Sequence, residues 1–156
     1  MGTRFKGKKE EILALDAYIK LMRASESITV RTGKVISANK LTVSQFGVLE
    51  ALYHLGSMCQ NELGKKLLKS GGNITMVIGN LEKIGYVERV REKMDRRFIT
   101  VSLTGKGRAK IAEIFPQQVS LITQEMSALS AKEQIIFCKL CKKLGLNTSE
   151  KKVGKK

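Results

Sequence analysis

Few side chains in this sequence are of types that do chemistry at the spacing chemistry requires. The soft metal ligands are three cysteines, Cys59, Cys138 and Cys141, and one histidine, His54. Zinc needs about four nitrogen or sulfur donors converging on one point, and these four residues form no such run. An odd number of thiols also closes no disulfide framework. Cys138 and Cys141 lie three apart beside an apolar helical stripe, the spacing of core or subunit-contact side chains. Cys59 opens the run Cys59-Gln60-Asn61-Glu62, where a helix is expected to start. A thiol at a helix N-terminus can lose its proton readily and become oxidisable, so Cys59 is a redox candidate beside its plainer reading as a weak cap. No pair of catalytic carboxylates, nucleophile with base, or phosphate-cradling glycine loop occurs. The expectation is a protein that is not an enzyme and needs no cofactor or metal.

The remaining functional types are binding types. Lysine and arginine number 29 against 14 acidic residues, a formal net charge of +15, which points to a polyanion as partner. An anionic membrane is the competing sink, but no window approaches the ~20 apolar residues of a spanning helix. The charged N-terminal run leads into no apolar core of a signal peptide, so a cytoplasmic protein with no membrane association is expected. Much of the charge clusters as Lys65, Lys66, Lys69, Arg89, Arg91, Lys93, Arg96 and Arg97, suited to neutralising phosphates. Between its two parts lies an almost acid-free polar set, Asn73, Thr75, Met76, Gly79, Asn80 and Lys83, of side chains short enough to approach base edges.

Those residues are positioned by a regular succession of elements. Apolar residues Ile12, Leu15, Ile19 and Met22 mark one face of a long first helix over residues 9–37, and Leu13, Leu21 and Ile28 add apolar surface elsewhere on it. A helix apolar on more than one side needs more than one cover, which suggests a second subunit. Thr42 and Gln45 form a capping box for a second helix ending at Gly56. A third helix is expected from Gln60 to Leu68, burying Leu63, Leu67 and Leu68, followed by a Ser70-Gly71-Gly72 turn. The fourth runs from Asn73 to Ile84 on the stripe Ile74, Val77, Ile78, Leu81 and Ile84. Alternation of Ile99, Val101 and Leu103 then predicts a strand, paired with 86–91 across a charged turn. Thr104 caps a fifth helix that Pro116 should kink, and Ser130 with Glu133 caps a sixth ending at Gly145.

Helix, turn, helix and charged hairpin make a winged helix-turn-helix that binds double-stranded DNA. The fold class expected is mostly α with a small β wing: a winged helix-turn-helix lobe plus a helical dimerisation region. A hairpin tipped by Arg96 and Arg97 would reach the minor groove, with Asp95 holding an adjacent arginine.

The segments LTVSQFGVLEALYHLG, QNELGKKLLKSGGNITMVIGNLEKIGYVERV and DRRFITVSLTGKG, within residues 41–107, resemble the MarR family of bacterial regulators. The Asp-x-Arg wing at Asp95 and Arg97 and the Leu-Thr-x-x-Gly opening the fifth helix are the most specific parts. The resemblance implies a single domain over 9–146, with dimerisation helices at 9–37 and 105–145 and the winged helix-turn-helix at 41–104, between tails 1–8 and 147–156. It implies a homodimeric transcriptional regulator, a repressor by expectation, on an inverted repeat with half-sites ~34 Å apart. Asn73, Thr75, Met76 and Asn80 are then the readers, Ser70 a phosphate or base contact, and Arg97 the wing arginine ordered by Asp95, while Lys65, Lys66 and Arg89 are phosphate contacts by the charge reading above. A small aromatic anion between the dimerisation helices and the reading lobe, or oxidation at Cys59, would release the operator. Met76 stands where the family often has arginine, and Cys59 where it commonly has a Ser or Thr cap. An arginine-poor recognition helix keeps open the alternative of a sequence-tolerant architectural DNA-binding protein.

Overall fold

The computed structural model describes residues 3–91 and 98–146. The wing-tip residues Asp95, Arg96 and Arg97 and the basic tail 147–156 lie outside them. The elements are α1 (Lys9–Ala38), α2 (Val43–Leu55), β1 (Met58–Cys59), α3 (Gln60–Lys66), α4 (Gly71–Lys83), β2 (Val87–Arg91), β3 (Ile99–Leu103), α5 (Gly105–Met126) and α6 (Ala131–Gly145). Two compact units result, one up to Ser120 and the other from Leu121 onward, and α5 runs from the first into the second.

In the first unit a core of Phe46, Val48, Leu49 and Leu52 on α2, Leu63 on α3, Ile74, Ile78 and Leu81 on α4, Val101 on β3, and Ile111 and Ile114 on α5 is buried. The capping box of α2 forms as its sequence predicts: Gln45 N donates to Thr42 Oγ1 at 3.1 Å and Thr42 N to Gln45 Oε1 at 2.8 Å. Gly56 ends the helix with φ of 81°, the left-handed region that favours glycine.

The structure corrects several local expectations. The third helix stops at Lys66, and Leu68 adopts a φ of 52° and is 92% exposed rather than buried. This left-handed residue lets Lys69 N reach Gly64 O at 2.9 Å and closes the helix. Gly71 and Gly72 form the first turn of α4 rather than a preceding turn, because Ser70 supplies the cap. Ile84, expected in the buried stripe, is the exposed C-cap of α4.

The sheet has one strand more than the hairpin predicts. Its order is β1-β3-β2, all antiparallel, with Met58 opposite Val101 and Arg89 opposite Val101 from the other side. Helix α5 continues through Pro116. In the second unit Ser130 caps α6: its hydroxyl accepts from Glu133 N at 3.4 Å, and its own N donates to Glu133 Oε2 at 2.8 Å. The helix includes Gly145, with Leu146 as its C-cap.

Candidate nucleic-acid interface

The presentation of α4 follows from its stripe. Ile74, Val77, Ile78 and Leu81 are buried, so Asn73, Thr75, Met76, Asn80 and Lys83, at the other helical angles, are exposed. Ser70 caps the helix, its hydroxyl accepting from Asn73 N at 3.4 Å. Close packing of α3 on α4 depends on Gly64, where an added Cβ would lie 3.3 Å from Ile74 Cγ2. Lys65, Lys66 and Lys69 are exposed beside this contact. The structure therefore brings Ser70, the five exposed α4 residues and the lysines of and just after α3 onto one lobe.

Glycine on α4 has no internal cause. A Cβ added at Gly71, Gly72 or Gly79 would meet nothing within 4 Å. Each costs up to about 1 kcal/mol of helix stability relative to alanine. A glycine that relieves no clash inside the molecule is suited to close approach by something outside it.

Two predicted site side chains carry hydrogen bonds that a sequence does not announce. Thr75 Oγ1 donates to Gly71 O at 2.8 Å and accepts from Gln60 Nε2 at 2.9 Å. Arg89, half-buried on β2, is held by Glu82 of α4: Nε donates to Oε2 at 2.9 Å, and Nη2 pairs with the same oxygen. That hydrogen bond holds the Glu82 carboxyl below its ordinary range against a smaller opposing effect of burial, and it raises the Arg89 guanidinium in turn. Arg89 thus braces β2 against α4, with its charge partly neutralised.

The Leu-Thr-x-x-Gly segment is a joint. Thr104 Oγ1 donates to Gly85 O at 2.7 Å and accepts from Gly107 N at 3.0 Å, while Thr104 N donates to Tyr86 O at 3.1 Å. Gly107 lets α5 lie directly against the Tyr86 backbone, for a Cβ there would overlap that carbonyl. One hydroxyl therefore ties the end of α4 to β3 and the start of α5.

Gln60, Glu82 and Gly64 escaped sequence reasoning. Gly64 left a signal, a glycine amid a helical run. Glu82 and Arg89, seven apart across a change of element, left none. Cys59 is partly buried at the end of β1, and its side chain makes no capping bond to α3. Cys138 and Cys141 are exposed on α6. His54 sits between Tyr53 and Phe115, at 5.1 and 4.6 Å between ring centroids. Among the described residues no three His, Cys, Asp or Glu side chains converge as metal ligands, and no helix is long and apolar enough to cross a membrane.

Comparison with known proteins agrees with this architecture. Residues 32–114 match the family model described as transcriptional regulator SarA/Rot. The HTH-type transcriptional regulator MhqR of Bacillus subtilis is 34% identical over 137 residues, 88% of this chain and 94% of that protein. Among solved structures, BpsR of Bordetella bronchiseptica, whose DNA binding is regulated by 6-hydroxynicotinic acid, superposes with a TM-score of 0.76 at 26% identity, covering 83% of this chain and 98% of that one. AbsC of Streptomyces coelicolor, a MarR family regulator, has the same fold with a TM-score of 0.79 at 19% identity, covering 92% and 96% of the two chains. A helix braced against a small antiparallel sheet, together with these relatives, makes this chain a member of the MarR family of winged helix-turn-helix transcriptional regulators.

Proposed function

We propose that the chain is a homodimeric, sequence-specific repressor that inserts α4 into the major groove at each half of an inverted repeat. The observation that carries this is the exposed arc of α4: short polar side chains and internally unneeded glycines at Gly71, Gly72 and Gly79, with Lys65, Lys66 and Lys69 beside it. Asn73 and Asn80 have amides able to pair with adenine, and Met76, 60% exposed, offers apolar contact to a thymine methyl. Ser70 and the lysines, all exposed, contact phosphates in this reading. Asp95, Arg96 and Arg97 serve the wing in this reading.

The dimer is supported by apolar surface without a cover. Ile136, Phe137, Leu140 and Leu144 on α6, and Leu13, Tyr18 and Met22 on α1, are all at least 40% exposed in the single chain. A lone soluble protomer rarely shows so much. An identical partner presents the same faces, which makes self-association the natural cover.

A small aromatic anion is the expected effector. A cavity of ≈ 380 Å³ is lined by Ala38, Asn39, Lys40, Ile84, Tyr86 and Lys110, joining the ends of α1 and α4 to α5. That volume suits one small ligand. The Lys40 ammonium and the Tyr86 phenol suit a carboxylate on a ring, and Lys110, bonded to Asn39 Oδ1 at 2.8 Å and Glu113 Oε2 at 3.3 Å, adds positive charge beside them. A ligand here releases DNA only if it binds the DNA-incompetent state more tightly.

Selection of bound duplexes from a random pool, followed by binding titrations against salt, tests the proposal. Palindromic sequences and affinity that falls steeply with salt are expected. Equal affinity for scrambled duplexes would refute sequence-specific repression and favour the architectural alternative, which the arginine-free face of α4 keeps in view.

A further inference from the structure

We propose that Gln60, on α3, together with the Gly71 carbonyl, fixes how Thr75 reads a base pair: the carbonyl takes the hydroxyl hydrogen and Gln60 holds the rotamer, so that Thr75 acts as a hydrogen-bond acceptor and not as a donor. This rests on the reading that α4 enters the major groove. A hydroxyl has one hydrogen and two lone pairs. Thr75 Oγ1 lies 2.8 Å from Gly71 O, and a backbone carbonyl can only accept, so the hydrogen points there. With the hydrogen committed, Gln60 at 2.9 Å must present its Nε2, and it occupies one lone pair. A single lone pair is left for DNA. Threonine in a helix ordinarily divides between two rotamers, and the bond from Gln60 selects one, so the direction of that lone pair is also set.

The base edge that matches a lone acceptor is an exocyclic amino group, adenine N6 or cytosine N4. Guanine N7 and O6 and thymine O4 are themselves acceptors and are rejected by it. Gln60 is therefore a positioning residue for recognition, though it need not touch a base. Its arrangement has a structural cost, since Gln60 Oε1 is buried with no hydrogen-bond partner. Buried polar atoms are seldom left so. Gln60→Met keeps the length of the side chain, removes that orphan and releases the Thr75 rotamer from the bond that holds it. A purely structural glutamine and a positioning glutamine thus predict opposite behaviour for this variant.

The test selects duplexes from a random pool with the wild type, Thr75→Val and Gln60→Met, and finds the base pair whose preference depends on Thr75. That pair is then rebuilt in a synthetic duplex with single functional groups deleted: purine for adenine or 2-pyrimidinone for cytosine removes the amino group, and 7-deazaadenine for adenine, or 7-deazaguanine for the guanine opposite cytosine, removes the N7 acceptor. Losing the amino group should weaken wild-type binding about fivefold, the worth of one neutral hydrogen bond. It should leave Thr75→Val unaffected and weaken Gln60→Met by less than the wild type. Losing N7 should change wild-type binding by less than about twofold on the same reasoning. Gln60→Met should melt no lower than the wild type. The proposal is overturned if N7 deletion weakens binding and amino deletion does not, if no pair depends on Thr75, or if Gln60→Met melts lower with unchanged base preference. A pool that yields no enriched sequence removes the groove reading itself, and the polarity assignment with it.

Discussion

Gly107→Ala adds one methyl group where α5 meets the Tyr86 backbone. The new Cβ would overlap the Tyr86 carbonyl oxygen and lie 2.8 Å from its carbonyl carbon and 3.0 Å from its Cα. Carbon atoms in contact prefer about 3.5–4.0 Å, so the two backbones must part by roughly 1 Å. The joint has little slack, because Tyr86 O accepts from Thr104 N at 3.1 Å and Thr104 Oγ1 binds both Gly85 O and Gly107 N. Losing two of these bonds costs about 2 kcal/mol. Overpacking adds about 1–3 kcal/mol, and alanine's better helix propensity returns at most about 1 kcal/mol. A net loss of about 2–5 kcal/mol follows, a fall in Tm of roughly 5–15 °C for a chain of this size. Gly105→Ala is the control, since a Cβ there meets nothing within 4 Å in the same turn of α5. It should be neutral or stabilising by about 0.5 kcal/mol. Urea unfolding followed by circular dichroism reads both variants, with Cm moving and m constant. If Gly107→Ala unfolds within about 0.5 kcal/mol of the wild type, the joint is not what holds α4 to α5.

Other substitutions test separate parts of the structure. Glu82→Gln frees Arg89. Because Arg89 depresses the Glu82 carboxyl, the pair stabilises the fold above pH about 4.5, the ordinary value, and loses that contribution as pH falls through the lower folded-state value. Both groups are about a third exposed, so solvent screening limits the contribution to roughly a few tenths of a kcal/mol, visible as a flatter acid limb in Glu82→Gln. The freed guanidinium should steepen the salt dependence of DNA binding by about one phosphate contact, as measured by fluorescence anisotropy. Leu68→Gly relieves a left-handed leucine and should stabilise by about 0.5–1 kcal/mol in thermal melts; a loss would mean that the exposed side chain has a role in packing. Phe137→Glu combined with Leu140→Glu puts charge on the uncovered face of α6 and should halve the mass seen by light scattering. An unchanged mass would place the dimer contact elsewhere.

What the sequence revealed are the features made within a few residues. The capping boxes Thr42 with Gln45 and Ser130 with Glu133 close over three residues, and both form. The stripe of α4 and the alternation of β3 have periods short enough to read directly. The same local rules misplaced Gly71 and Gly72, because glycine pairs ordinarily break helices and nothing nearby in sequence shows that Ser70 and a buried stripe will carry these two along. Tertiary structure alone decided the rest. Strand β1 is two residues long and exists because Met58 meets Val101 from 43 positions away. Arg89 is one more basic residue in sequence, yet packing β2 against α4 sets it on Glu82 and makes it a brace. Thr75 could be placed on the exposed face of a helix by counting, but the donor its hydroxyl oxygen accepts from is Gln60, delivered by a different helix. Backbone caps and periodic burial are settled by neighbours along the chain. Which side chains meet across elements depends on how helices and strands pack.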